Sequence, residues 1–414
     1  MKHFSGTRIS AWANALTSVL VALLATVCPA FSQIEQKLYD FCSQPGCTDG
    51  LYPNGALVMD KKGNLFGTTT SGGAHGEGTV FEITASGVEK VLYSFCAAPS
   101  CTDGSSPFDG LIIDKKGNLY GTTYSGGAHG QGTVFKVSAT GESVLYSFCA
   151  VLGCQDGANP YAGLTVDKSG NFYGTTLGGG STNNGTVFEV NTTGSEIVLH
   201  SFENTPDFAF PYGGVTLDTK GNLYGTTWFG GANNSGGVYE VGVDQTETRL
   251  YDHWCAFPCT QDGDSSTAAL LLSKGNLYGT STLGGAFAHG MVFQLNIKKK
   301  KETILYSFAG VADADGAVPW AGLITDKSGN LYGTTSGGGV SGCSGGLQDG
   351  CGTVFELSPS GTGQTESLLR TFANDATDGA NPYGGLLLDK TNKLYGTTRL
   401  GGVNNGGTVF KITP

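Results

Sequence analysis

The chain has 414 residues, of which 68 are Gly and 39% are apolar; the glycine share is more than twice the usual roughly 7%. So much glycine excludes a protein built on long helices, while 10% aromatic residues can supply a packed core and argue against disorder. A formal net charge of −11 repels polyphosphate and excludes general nucleic-acid binding.

Residues 1–32 carry Lys2 and Arg8, an apolar stretch over 15–28, and the small-residue exit Ala30-Phe31-Ser32. This is secretory signal chemistry, with cleavage expected before Gln33 and an extracellular or periplasmic destination. The apolar stretch is shorter than the roughly 20 residues that span a bilayer, and no later segment approaches that length. No membrane span is expected in the mature chain. Cys28 follows Val27, larger than the small residue a lipobox resembles, and is expected to leave with the signal. Residues 33–414 then form one domain.

A single unit fills that domain. G-N-L-F/Y-G-T-T recurs from Gly63, Gly117, Gly170, Gly221, Gly275 and Gly329, with variants in the third and fifth copies, and a seventh copy reads Asn392-Lys393-Leu394-Tyr395-Gly396-Thr397-Thr398. Repetition at about 55 residues leaves room for four short strands and their turns. The second unit shows them in order: 91–95, 110–114, 118–123 and 132–137, all aromatic or β-branched and bounded by Gly, Asp or Ser. Asp114-Lys115-Lys116-Gly117-Asn118 reads as a tight hairpin capped by its aspartate. It lacks the alternating oxygen ligands of a calcium loop. The predicted fold is an all-β, seven-bladed propeller, closed when the N-terminal strand at 38–41 completes the last blade. A β-solenoid is the alternative, but it calls for polar caps and a much shorter rung.

The run G-N-L-Y-G-T-T, then G-G, then G-T-V-F resembles the tandem GloVer (Gloeo-Verruco) repeats of exported bacterial proteins, over about residues 37–413. The resemblance implies export and a repeat architecture, and it implies no reaction. Members often end in a surface-anchoring segment; this sequence stops at Pro414 after its last strand, so a secreted, unanchored product is expected.

Apart from Cys28, the cysteines form five close pairs: Cys42 with Cys47, Cys96 with Cys101, Cys149 with Cys154, Cys255 with Cys259 and Cys343 with Cys351. An even count in an exported chain reads as local disulfides that pin loops. Zinc is the alternative use of thiolates, disfavoured by the wide separation between pairs and by the oxidising compartment. No metal is assigned.

In a propeller, the loop from each outer strand to the next inner strand opens on the same face as the loop between the second and third strands. Asp49, Asp103, Asp156, Asp207, Asp262, Asp315 and Asp378 sit in the first loop, four residues before a usual proline. They are expected to ring one mouth of the channel as ligand groups, with turn chemistry as the competing reading. The next residue after the proline is Asn54, Phe108, Tyr161, Tyr212, Thr267, Trp320 and Tyr383 in successive units. Five aromatics beside inner strands are either sugar-stacking faces or a plug between blades. The residue following G-T-T also varies, and Tyr124, Trp228 and Arg399 join the candidate ligand-binding set.

His75 and His129 occupy the second loop without repeating through the units, and 342–350 is an insertion over the same face. The basic run 298–301 falls on the other face as a solvated hairpin tip. No nucleophile with its base, G-x-S-x-G, H-E-x-x-H or nucleotide loop occurs; His200 and His253 stand in for a repeat Tyr and a repeat Phe. Catalytic residues and cofactors are therefore not assigned, and a binding protein is favoured over an enzyme. An extracellular glycan or protein is the expected partner of a monomeric chain. The alternatives are a structural or protein-interaction scaffold, and a propeller lyase or glycoside hydrolase using Asp and Tyr from different blades.

Overall fold

The repeat motif explains itself once the strands are packed. In the computed structural model, which describes residues 34–254, 260, 262–343, 349–360 and 363–414, each unit folds into a four-stranded antiparallel sheet. The first comprises Val58–Met59, Leu65–Thr69, Thr79–Ile83 and Glu89–Ser94 from the channel outward. Every residue of Leu65–Thr69 is buried. Leu65 enters the core with Leu57, Phe81 and Phe41. A Cβ on Gly67 would lie 2.6 Å from Phe81 Cζ, so glycine here lets the G-T-V-F ring cross the strand. Thr69 shares a 2.9 Å hydroxyl bond with Thr79 on the third strand.

The first threonine of the motif joins one blade to the next. Thr68 Oγ1 donates to the Asp109 carbonyl, Thr122 to Ala162, Thr175 to Gly213, Thr226 to Ala268, Thr280 to Ala321 and Thr334 to Gly384. Thr397 then donates to Gly55 at 3.1 Å, across 342 positions of sequence, and the ring is closed. This excludes the solenoid. The Asp60 carboxylate caps the hairpin between inner and second strands by accepting from the backbone N–H of Lys62 and Asn64. Gly63 takes φ +86° in that turn.

The N-terminal strand Ile34–Asp40 pairs antiparallel with Thr408–Thr413 and is the outermost strand of the seventh blade. Between blades, the Phe that ends one outer strand meets an aromatic of the next blade edge-on: Phe41 on Phe81 at 4.9 Å, Phe95 on Phe135 at 4.9 Å, Phe308 on Phe355 at 5.0 Å. At the joint into the fifth blade His253 takes that place, 5.5 Å from Phe293.

Four of the expected disulfides are present: Cys42–Cys47, Cys96–Cys101, Cys149–Cys154 and Cys343–Cys351. In contrast to those pairs, Cys255 and Cys259, expected to form the fifth bridge, lie outside the described residues. The proposed signal at 1–32 lies outside them as well. Among those described, no helix is long and apolar enough to cross a membrane.

Candidate binding site at the channel mouth

The seven repeat aspartates do not present their carboxylates to the mouth. Asp103 is buried under its own loop, where Oδ2 accepts from Tyr93 OH at 2.7 Å and Ala97 N at 2.9 Å, and Oδ1 from Ala98 N at 3.2 Å. Asp49, Asp156, Asp262 and Asp315 repeat this with Tyr39, Tyr146, Tyr251 and Tyr306. The half-buried Asp207 lies 3.5 Å from His200, and Asp378 lies 2.8 Å from Arg370. The sequence expectation of a carboxylate ring is corrected by these partners: each charge is spent holding the loop to the outer strand behind it, because a buried carboxylate must find donors.

A second carboxyl group approaches most of these aspartates from the next outer strand. Glu89, Glu142, Glu196, Glu247 and Glu366 are half-buried, each with one oxygen lacking a hydrogen-bond partner. Burial, reinforced by the charge of the neighbouring Asp49, Asp103, Asp156, Asp207 or Asp315, pushes each up to about 7.

The aromatics behave differently. Phe108, Tyr161, Tyr212, Trp320 and Tyr383 are half-buried around a cavity of about 520 Å³ at the channel. Tyr161 stacks on Phe108 at 4.7 Å, and Tyr124 meets both rings edge-on at 6.2 and 5.6 Å. The run continues through Tyr212 at 5.2 Å, Trp228 at 4.4 Å, Trp320 at 5.9 Å and Tyr383 at 5.7 Å. Arg399 caps its end, over the rings of Tyr383 at 5.4 Å and Tyr52 at 5.7 Å. The residue after the proline and the residue after G-T-T thus meet at one rim. Asn54 and Thr267 supply polar groups where the aromatic run is interrupted.

Polar groups converge on the same cavity. Burial raises the Tyr161 hydroxyl above the ordinary phenol range, with smaller effects from Tyr212, Arg399, Asp109 and Tyr383. Trp320 Nε1 and Asn54 Oδ1 have no hydrogen-bond partner, and both residues line the cavity. Asp109 was missed by the sequence reading. It lines the cavity and its Oδ2 accepts from Gly163 N of the next blade at 2.7 Å. Its signal was a charged residue where other units carry Gly or Ala, as in Tyr161-Ala162 and Trp320-Ala321. Of the remaining variable positions, Thr70, Thr282 and Ser336 are buried and Leu177 is half-buried. His75 and His129 are exposed in their loops.

A second group that sequence reasoning did not assemble lies at the joint into the fifth blade: His253, Asp262 and Glu302 bring one nitrogen and two carboxylate oxygens within 4.8 Å of one another. The sequence marks His253 only as a substitute for Phe, and Glu302 is too far along the chain for spacing to reveal the cluster.

The arrangement of blades is shared with solved structures of low sequence identity. The extracellular domain of a protein described as a one component system from B. thetaiotaomicron matches with a TM-score of 0.57 and 9% identity over 91% of this chain; the chain spans 40% of that protein's length. An oligogalacturonate lyase from Vibrio parahaemolyticus matches with a TM-score of 0.54 and 12% identity over 93% of this chain and 94% of the lyase. These likenesses establish the propeller fold and nothing of the chemistry. No curated protein matches the chain. The family model of the Gloeobacter/Verrucomicrobia repeat matches residues 26–164 and 149–347, most of the sequence and its repeats together, and the chain belongs to that family.

Proposed function

We propose that the chain is an exported binding protein whose channel mouth holds a short segment of a neutral extracellular glycan. The observation that carries this reading is the run of half-buried, touching rings from Tyr124 to Tyr383, of which Phe108, Tyr161, Tyr212, Trp320 and Tyr383 line a cavity of about 520 Å³. A plug would bury those rings and leave no cavity. Sugar rings offer C–H faces to aromatic planes and hydroxyls to polar groups. Trp320, Tyr161, Tyr212 and Tyr383 provide the planes, while Asp109, Asn54, Arg399 and the unpartnered Trp320 Nε1 provide the hydrogen-bonding groups. A cavity of this size takes a small ligand or a short stretch of a longer one. The disulfides suit an oxidising exterior.

The test is calorimetric titration of the purified chain with neutral oligosaccharides, alongside Trp320→Ala. Losing one stacking face should weaken binding at least about tenfold, equivalent to about 1.4 kcal/mol, with little change in thermal unfolding. No binding by any neutral oligosaccharide, or a Trp320→Ala variant that unfolds early but binds as before, would sink the reading. Turnover of the bound sugar would move the assignment to an enzyme.

A further inference from the structure

At six of the seven joints between blades, the residue that ends the outer strand is a fully buried Phe: Phe41, Phe95, Phe148, Phe202, Phe308 or Phe372. At the remaining joint it is His253, also 0% exposed. Its Nε2 lies 3.2 Å from Ser266 Oγ, which lies 2.9 Å from Ser281 Oγ. Both serines depart from the repeat, which usually places Pro and Thr there. The change from Phe to His therefore comes with a polar group to receive one ring nitrogen.

The other nitrogen has none. His253 Nδ1 is 3.7 Å from Asp262 Oδ1 and 3.7 Å from Glu302 Oε2, too far to hydrogen-bond either. Both His253 Nδ1 and Glu302 Oε2 are without a hydrogen-bond partner, and the Glu302 side chain is only 4% exposed. Leaving such groups buried and uncompensated is costly. With Nε2–H given to Ser266, an imidazole lone pair faces two carboxylates.

We propose that His253 Nδ1, Asp262 Oδ1 and Glu302 Oε2 bind one divalent transition-metal ion, of zinc type, that ties the fourth blade to the fifth. Bonds of about 2.0–2.2 Å to atoms 3.7 Å apart subtend roughly 120°, within the range of a tetrahedral or trigonal site. One imidazole and two carboxylates suit such an ion, and two negative charges offset its two positive charges. The ligands are held from behind: Asp262 Oδ2 accepts from Tyr251 OH at 3.1 Å and Trp254 N at 2.8 Å, and Ser266 orients the imidazole. At the other joints with an Asp–Glu pair the buried Phe supplies no ligand. The joint into the fourth blade has His200 against Asp207 and does not bring three ligand atoms together among the described residues.

Because His253 is fully buried, the ion must be supplied during folding. The full chain is unfolded in chelator, refolded with Zn²⁺ or Co²⁺, desalted, and its metal content measured. One ion per chain is expected, with visible Co²⁺ bands of nitrogen and oxygen ligation. At a hundredfold excess over Kd the thermal midpoint should rise by about 3 °C. His253→Phe restores the residue of the other joints; it is expected to fold to the same circular dichroism spectrum and retain no ion. Glu302→Gln should weaken retention at least about tenfold, and carries the test if His253→Phe fails to fold. A correctly refolded wild-type chain without bound metal, or an ion that survives in His253→Phe, would overturn the site.

Discussion

The glutamates at the blade joints make stability depend on pH in a direction opposite to ordinary acid denaturation. Glu89, Glu142, Glu196, Glu247 and Glu366 are each raised from 4.5 to about 7. Between those values the folded chain holds protons that the unfolded chain has released. The stabilisation is complete below the unfolded value, near 4.5, and is lost as pH rises through about 7. The full shift corresponds to a ceiling of about 3 kcal/mol per site. These side chains are half-exposed, and solvent screening reduces that to about 1 kcal/mol each, or about 5 kcal/mol for the set. For a propeller of this size 1 kcal/mol moves the midpoint by about 1 °C. Thermal unfolding followed by circular dichroism should thus show a midpoint about 5 °C lower at pH 8 than at pH 5. Glu142→Gln imitates the protonated form, so it should recover about 1 °C at pH 8 and change nothing at pH 5. A midpoint that stays level or rises from pH 5 to pH 8, or a Glu142→Gln profile parallel to wild type, would refute the argument.

Three further substitutions separate joint chemistry from ligand chemistry. Thr397→Val keeps the shape but removes the hydroxyl that donates to the buried carbonyl of Gly55; urea unfolding should show a loss of about 1–2 kcal/mol. Thr122→Val should cost a similar amount if the joints are equivalent. Asp103→Asn cannot accept from Tyr93, Ala97 and Ala98 together. A loss of about 1–2 kcal/mol by the same measurement is expected, with glycan affinity unchanged, and abolished binding at wild-type stability would return Asp103 to the ligand-binding set.

Backbone architecture was legible because it is written seven times. The spacing of the repeated Leu and Gly named the strands, and the lone strand-like segment at 38–41 foretold the clasp. The fate of Asp103 was not legible in the same way. Whether a loop carboxylate turns outward or inward is decided by Tyr93, ten positions upstream, and a period-based reading treats the two as separate features. The aromatic rim was half legible. Phe108, Tyr161, Tyr212, Trp320 and Tyr383 share one repeat position, but their union with Tyr124, Trp228 and Arg399 depends on how inner and second strands end at the same rim. The cluster at His253 left only indirect traces, a Phe changed to His and a Pro changed to Ser; Glu302 arrives from the outer strand of the following blade.

The strand Ile34–Asp40 also fixes an order of events. It is the first described segment to be synthesised, yet its partner Thr408–Thr413 comes last. Six blades can assemble one after another from sequence-local hairpins, while the earliest strand waits with its hydrogen-bonding groups unanswered. Joining it closes a loop of nearly the whole chain, a contact of the kind that slows folding. Completion of this ring should therefore be the last and slowest cooperative step, and a nascent chain stopped before residue 408 would carry an open edge able to recruit a strand from another molecule.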